Sequence, residues 1–231
     1  MRIIGIIPAR GGSKGVPKKN IKPLHGKPLI SYTIKVAKES KHINQVYVST
    51  DDPEIGEISK QYGAEVPFLR PEELATDDTP TLPVIQHMAR YVENKWGRLD
   101  IVVTLQPTSP LRTAQDIDKT IQKLIDTKAD SVVSVFEVET HPYLTASLDE
   151  DRLNWLYSEE KRGRRQDFPN VYSLNGAIYA TERNTLLDNN SLYGKDTRAY
   201  IMSLERSMDI DSLYHFYLVE AIMKKGLDNN P

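Results

Sequence analysis

The chain of 231 residues contains no cysteine, which excludes disulfides, thiolate catalysis and cysteine-ligated zinc. No apolar run approaches the ~20 residues that a membrane-spanning helix needs. A formal net charge of −2 gives no bulk attraction to nucleic acid or to an anionic membrane, so neither is an expected partner. The five histidines, at positions 25, 42, 87, 141 and 215, form no HxxxH or H-x-E pattern. No Ser-His-Asp ordering is evident either, so a hydrolytic triad is not expected. Internal repeats and low-complexity segments are absent. What is left is an ordinary globular composition, 39% hydrophobic and 27% charged, of a length that suits one α/β domain with a small appendage. Met1-Arg2 runs straight into a short apolar segment without a signal-peptide h-region, so the cytoplasm is the expected compartment.

Strand and helix patterns alternate along the chain. Residues 3–8 read as a buried strand and 28–40 as a helix with Leu29, Ile30, Ile34 and Ala37 near one face. Residues 46–50 form a second strand, and Asp52-Pro53-Glu54 opens the next helix with Asp as N-cap and Pro in the first turn. A proline-rich loop at 66–83 precedes a helix reaching about Trp96. Residues 100–105 are almost continuously apolar, as the centre of a parallel sheet requires. A helix at 114–127 leads to a strand at 131–138. This β-α-β rhythm predicts a three-layer, Rossmann-like α/β fold with a mostly parallel sheet. The rhythm breaks at about 139–172, which reads as an inserted hairpin or lid within a single domain spanning 1–231. Strands at 176–180 and 198–204 and an amphipathic helix at 212–225 close the chain.

The most informative run is Ala-Arg-Gly-Gly-Ser-Lys-Gly-Val-Pro-Lys-Lys-Asn at 9–20. It follows the first strand. Gly11, Gly12 and Gly15 let backbone N–H groups approach an anion, and Arg10, Lys14, Lys18 and Lys19 supply positive charge. The spacing is neither G-x-x-x-x-G-K-[ST] nor G-x-G-x-x-G. A phosphate-binding loop of another kind is the reading.

Three further motifs fall where ligands collect in an open parallel sheet, beyond the carboxyl ends of strands. Gln106-Pro-Thr-Ser-Pro-Leu-Arg112 follows the central strand, with amide, hydroxyl and guanidinium groups on a backbone stiffened by two prolines. Asn175-Gly176 stands at the mouth of a later strand. Asp209-Ile-Asp211 precedes the last helix; in extended backbone both carboxylates face the same way and can address one hard cation. The competing reading of that pair has Asp211 capping the helix and Asp209 solvated. Asp51-Asp52 resembles a paired site too, but capping before Pro53 accounts for it. A second basic cluster, Lys161-Arg-Gly-Arg-Arg-Gln166, lies in the insertion.

The series R-x-G-S-K-x-x-x-x-K-N, carried by Arg10, Gly12, Ser13, Lys14, Lys19 and Asn20, together with Gln106–Arg112, resembles the acylneuraminate cytidylyltransferases (CMP-sialic acid synthetases) from residue 3 to about 216. The resemblance implies transfer of CMP from CTP to the anomeric hydroxyl of an acidic nine-carbon 2-keto sugar, with release of pyrophosphate. It implies that Lys19, Arg10 and Asp211 act in catalysis and that Arg10, Gly12, Ser13, Lys14 and Asn20 hold the nucleotide. Arg70 would reach the cytosine edge, a hydroxyl at Thr79 or Thr81 the ribose, and Arg112 would lie near the nucleotide side. Gln106, Thr108, Ser109, Arg165, Gln166 and Asn175 would face the sugar. Asp209 and Asp211 would hold Mg²⁺ (or Mn²⁺), and the insertion would build a homodimer and overhang the neighbouring subunit's site. Legionaminate, pseudaminate or 3-deoxy-octulosonate as acceptor, or a silent nucleotide-sensing module on the same scaffold, are the alternatives.

Overall fold

The computed structural model describes residues 1–13, 15–158 and 164–228, with the backbone alone at Arg165, Leu227 and Asp228. In chain order the strands are β1 (Ile3–Pro8), β2 (Pro23–Leu24), β3 (Lys27–Pro28), β4 (Gln45–Ser49), β5 (Ile101–Leu105), β6 (Ser131–Glu137), β7 (Ala146–Asp149), β8 (Arg152–Trp155), β9 (Tyr172–Glu182) and β10 (Thr197–Ile201). The helices are α1 (Leu29–Glu39), α2 (Pro53–Gln61), α3 (Thr81–Trp96), α4 (Ala114–Thr127), α5 (Arg183–Leu187) and α6 (Leu213–Asp228). Six strands make the central sheet in the order β10-β6-β9-β5-β1-β4. β1 runs parallel to β4 and β5, and β10 parallel to β6, while β9 is antiparallel to both its neighbours. The mostly parallel, three-layer arrangement is the one the sequence predicts.

Period-two alternation along β1 divides the core between two faces. Ile3 and Ile7 pack with Ile30 and Ile34 of α1, Ile55 of α2, and Ile117 and Ile121 of α4. Ile4 and Ile6 pack on the other side with Ile85, Met88 and Val92 of α3 and Leu186 of α5. A third cluster, Leu24, Leu29, Ile210, Phe216 and Val219, anchors α6 beside the carboxyl end of the sheet. Local chemistry fixes the helix starts. The Asp52 carboxylate accepts from the N–H groups of Glu54 and Ile55, capping α2. Thr113 and Asp116 form a reciprocal capping box on α4.

Two elements differ from the sequence expectation. The returning strand is not confined to 176–180 but is the eleven-residue β9, which pairs with β6 on both sides of a register shift between Val133 and Val135. Gly176, at φ +72, sits in that irregularity, and the exposed Tyr172 and Leu174 hide the strand's first half from an apolar pattern. The last expected strand, at 198–204, ends instead at Ile201. The β7–β8 hairpin stands in the segment between β6 and β9, where the rhythm of the sequence breaks.

Candidate active site

The loop after β1 is shaped by its own backbone contacts. Gly11 N–H donates to Asp51 Oδ1 at 3.0 Å, and the Asn20 amide donates to Arg10 O at 2.9 Å. These bonds draw Gly11 and Asn20 in toward the carboxyl ends of β1 and β4, and a 3₁₀ turn at Lys19–Ile21 directs Lys19 inward. The Lys19 ammonium donates to Ile210 O at 2.7 Å and stands 3.7 Å from Asp211 Oδ1. Loop and acidic turn also meet through the backbone, because a Cβ on Gly15 would lie 2.2 Å from Asp211 O. Only glycine permits that approach.

One cleft gathers residues from four separate segments. Arg10, Gly12, Ser13, Lys19 and Asn20 line it from the first loop, Arg70, Thr79 and Thr81 from the proline-rich loop and the start of α3, and Gln106 and Thr108 from the turn after β5. Lys14 and positions 161–163 of the second basic cluster lie outside the described residues. Arg10 does not project freely: it pairs with Asp77 at 2.7 Å and donates to Thr76 O at 3.2 Å. The Thr76 and Thr79 hydroxyls share a bond of 2.6 Å. Arg70 is buried at the cleft wall and donates to Ser49 O and Leu74 O. Burial lowers its pKa, an effect the nearby Asp51 carboxylate opposes.

Several residues expected at the ligand turn inward instead. Arg112 does not border the cleft: it is fully buried, donating to Gln106 O at 2.8 Å, to Ala177 O and to Thr33 Oγ1. Burial pushes its pKa down to about 9. The two prolines flanking Thr108-Ser109 fold the turn so that Arg112 braces it from below. Ser109 is likewise fully buried. Asn175 borders a second cavity, yet its carbonyl accepts from Ser134 Oγ and Ala177 N–H while its amide donates to Ser207 Oγ and Met202 Sδ. It therefore fastens the β9 irregularity to the segment leading to Asp209. Gln166 is exposed in a 3₁₀ turn, Arg165–Asp167, and lines neither cavity.

Asp209 and Asp211 sit side by side on the second cavity, about 450 Å³ in volume. Asp209 is mostly buried in the turn whose Ile210 N–H donates to Thr108 O at 2.9 Å; burial raises its pKa, and the neighbouring Thr108 and the Lys19 charge oppose the rise. Its Oδ1 is buried without a partner among the described residues. The helix cap is Ser212, whose hydroxyl accepts from His215 N–H at 3.4 Å, so Asp211 is not needed for capping. Among the described residues no group of three His, Cys, Asp or Glu side chains could hold a metal. Two carboxylates with an orphaned oxygen nonetheless suit a hard divalent ion that takes its remaining ligands from phosphate and water.

Sequence reasoning left Asp51 as structural and His215 outside any motif, and it did not single out Asp77, Tyr179 or Met208; Asp51 and Asp77 hold the basic loop, and the other three border the second cavity. Asp51 and Asp77 act through contacts distant in sequence, on Gly11 and Arg10, whereas His215 meets Asp211 only four residues away.

A family model described as cytidylyltransferase matches residues 4–222. The chain is 35% identical over 228 residues to the CMP-N,N'-diacetyllegionaminic acid synthase of Legionella pneumophila, covering 97% of both chains. It is 34% identical over 224 residues to the post-translational flagellin modification protein B of Campylobacter coli, covering 96% of this chain and 95% of that one. An N-acylneuraminate cytidylyltransferase of Escherichia coli is 37% identical over 97% of this chain, which spans only 52% of that longer relative. Among solved structures, CMP:2-keto-3-deoxy-manno-octonic acid synthetase complexed with CTP superposes with a TM-score of 0.75 at 20% identity, covering 98% and 100% of the two chains; that likeness bears on the fold. With the basic loop, the cleft and the acidic turn all in the matched region, the chain belongs to the cytidylyltransferase family, and acylneuraminate cytidylyltransferases are among its relatives.

Proposed function

We propose that the protein transfers CMP from CTP to the anomeric hydroxyl of a nine-carbon 2-keto acid sugar of the N-acylneuraminate type and releases pyrophosphate. The meeting of Lys19 with the Asp209–Asp211 turn, at the seam between two cavities, carries this reading. Relatives named for diacetyllegionaminic and pseudaminic acid, the latter 29% identical over 97% of this chain, support an acidic sugar as acceptor.

In this reading the triphosphate lies in the first cleft against the loop amides, Ser13, Arg10 and Lys19. The anomeric oxygen attacks the α-phosphorus in line. A new O–P bond forms as the α–β bridging bond breaks, pyrophosphate leaves with the bonding electrons, and the hydroxyl proton passes to solvent. Charge builds on the non-bridging and departing oxygens, where the fixed cations of the loop lower its energy without reorganising. Asp209 and Asp211 would hold Mg²⁺, which supplies further phosphate charge neutralisation and acidifies a nearby hydroxyl. Arg112 touches no substrate in this scheme; it and Asn175, whose amide is bonded internally, set the positions of Gln106, Thr108 and Asp209.

The β7–β8 hairpin exposes Leu148, Leu153 and Trp155 at 67%, 58% and 46%. Such an apolar arm supports a homodimer in which the hairpin packs on a second copy. Pyrophosphate release with CTP and Mg²⁺ across a panel of keto acid sugars tests the function. Turnover with at least one nine-carbon acid is expected. Absence of release with every member of the panel would refute it in favour of a silent nucleotide-binding module.

A further inference from the structure

The two cavities meet along one seam. The nucleotide cleft ends at Lys19 and Thr108, the second cavity begins at Asp209 and Asp211, and the Lys19–Asp211 contact and the bond from Ile210 N–H to Thr108 O join them. An acceptor whose anomeric oxygen sits at the seam must extend into the second cavity, because in-line attack places it opposite the departing pyrophosphate. The chemistry of that cavity's far wall therefore bears on which sugar is accepted.

Four of the side chains that line the cavity are apolar. Phe136 comes from the end of β6, Leu174 from β9, and Leu204 and Met208 from the segment after β10. The polar groups of Asn175 and Ser207 are already engaged: both ends of the Asn175 amide are bonded internally and Ser207 donates to Ser203 O, while the Tyr179 ring packs edge-on against Tyr193 at 6.1 Å. Unspent polar atoms gather at the seam, on Asp209, Asp211 and His215. His215 in turn uses its Nδ1 to accept from Asp211 N–H at 3.2 Å. Above Gly176 nothing stands within 4 Å of where a Cβ would be, which leaves room for a branched substituent.

Resting on the function proposed above, we infer that this cavity takes the exocyclic tail of the sugar. It selects a tail bearing a second N-acyl group and a terminal methyl over one bearing a run of hydroxyls. Hydroxyls placed against Phe136, Leu204 and Met208 would give up bonds to water and find no acceptor in exchange on those three side chains. Acyl and terminal methyls would instead be removed from water. A single methylene or hydroxyl in an apolar pocket discriminates by roughly 10- to 200-fold. The preferred acceptor class is a di-N-acylated, deoxygenated nine-carbon 2-keto acid, with Leu204 and Met208 as specificity determinants.

The test compares kcat/KM for N,N'-diacetyllegionaminate and N-acetylneuraminate at saturating CTP, read as pyrophosphate release. Wild type, Leu204→Gln and Met208→Gln are measured, each checked for a cooperative melt. Leu204 is partly exposed, so its substitution keeps the test alive if Met208→Gln fails to fold. The expected result is at least tenfold preference for the diacetyl sugar in wild type, narrowed severalfold in a folded variant. Equal use of the two sugars, preference for N-acetylneuraminate, or an unchanged ratio in the folded variants overturns the inference and leaves the proposed transferase activity standing. Release with neither sugar, nor with any other keto acid, overturns that activity and this inference with it.

Discussion

The Lys19 ammonium, 15% exposed, stands 3.7 Å from the Asp211 carboxylate, 71% exposed, and donates to the carbonyl of Ile210, 191 residues away along the chain. The contact ties the first loop of the protein to its last turn, and each partner carries charge that a triphosphate or its counter-ion would use. Lys19→Ala and Asp211→Ala are each expected to lower kcat on the order of 10²–10³ while leaving the fold in place. Pyrophosphate release together with circular-dichroism melting checks this. Near-normal turnover in either folded variant would remove that residue from the mechanism.

Arg10 is held at 2.7 Å by Asp77, with both side chains partly exposed at 31% and 46%. A nucleotide phosphate that recruits Arg10 must displace that carboxylate. An ion pair so exposed is worth at most about 1 kcal/mol, so Asp77→Asn is expected to tighten CTP roughly two- to fivefold. Titration calorimetry at low ionic strength reads the change directly, and the gain should shrink as salt screens the pair. Weaker CTP binding would instead assign Asp77 a direct contact with the nucleotide.

The layered sheet and most helices were legible because their causes are local. α4 occupies the residues 114–127 that the sequence assigns to it, and its start is fixed locally by Thr113 and Asp116. The basic loop was legible for the same reason: its glycines and cations lie within one short segment. β9 was not, because its first half is exposed and interrupted at Gly176. Arg112, Ser109 and Asn175 are expected at the ligand, whereas in the structure Arg112 and Ser109 are fully buried and the Asn175 amide is bonded internally at the edge of the second cavity. A polar side chain after a strand has the same local sequence whether it faces a ligand or braces the turn beneath it. Only the acceptors on Ala177, Thr33 and Gln106 decide that Arg112 braces. The pairing of Arg10 with Asp77 is hidden for a related reason, since it depends on how the proline-rich loop folds back over the cleft.

Arg112→Met tests the bracing role. The substitution removes the donor from three acceptors, two of them backbone carbonyls, in a site that is otherwise fully buried. Each orphaned group costs about 1–3 kcal/mol, so a loss of about 3 kcal/mol or more is expected. It would appear in urea unfolding as a lower midpoint at an unchanged slope. Arg112→Lys should recover only part of it, because one ammonium cannot reproduce the planar fork. Full recovery by lysine would show that charge alone, and not the geometry of the fork, holds the turn.

Far from the cleft, Arg183 at the start of α5 grips Glu93 of α3 through Nε and a terminal nitrogen, at 2.9 and 3.0 Å, and Leu99 N–H adds a third bond to the same carboxylate at 3.0 Å. The Arg183 bonds hold the Glu93 carboxyl below its ordinary value of 4.5, with burial opposing them. A carboxyl that is more acidic in the folded state binds protons more readily once unfolded. Its stabilising contribution is therefore complete above the unfolded pKa and is lost as pH falls through the folded one. Glu93→Gln should cost about 1–2 kcal/mol near neutrality, and the gap to wild type should close as pH drops below 4.5. Urea unfolding of both proteins at about pH 7 and about pH 3 measures it. A gap of equal size at both values would mean that the side chain holds α3 and α5 together through packing, with its charge contributing nothing.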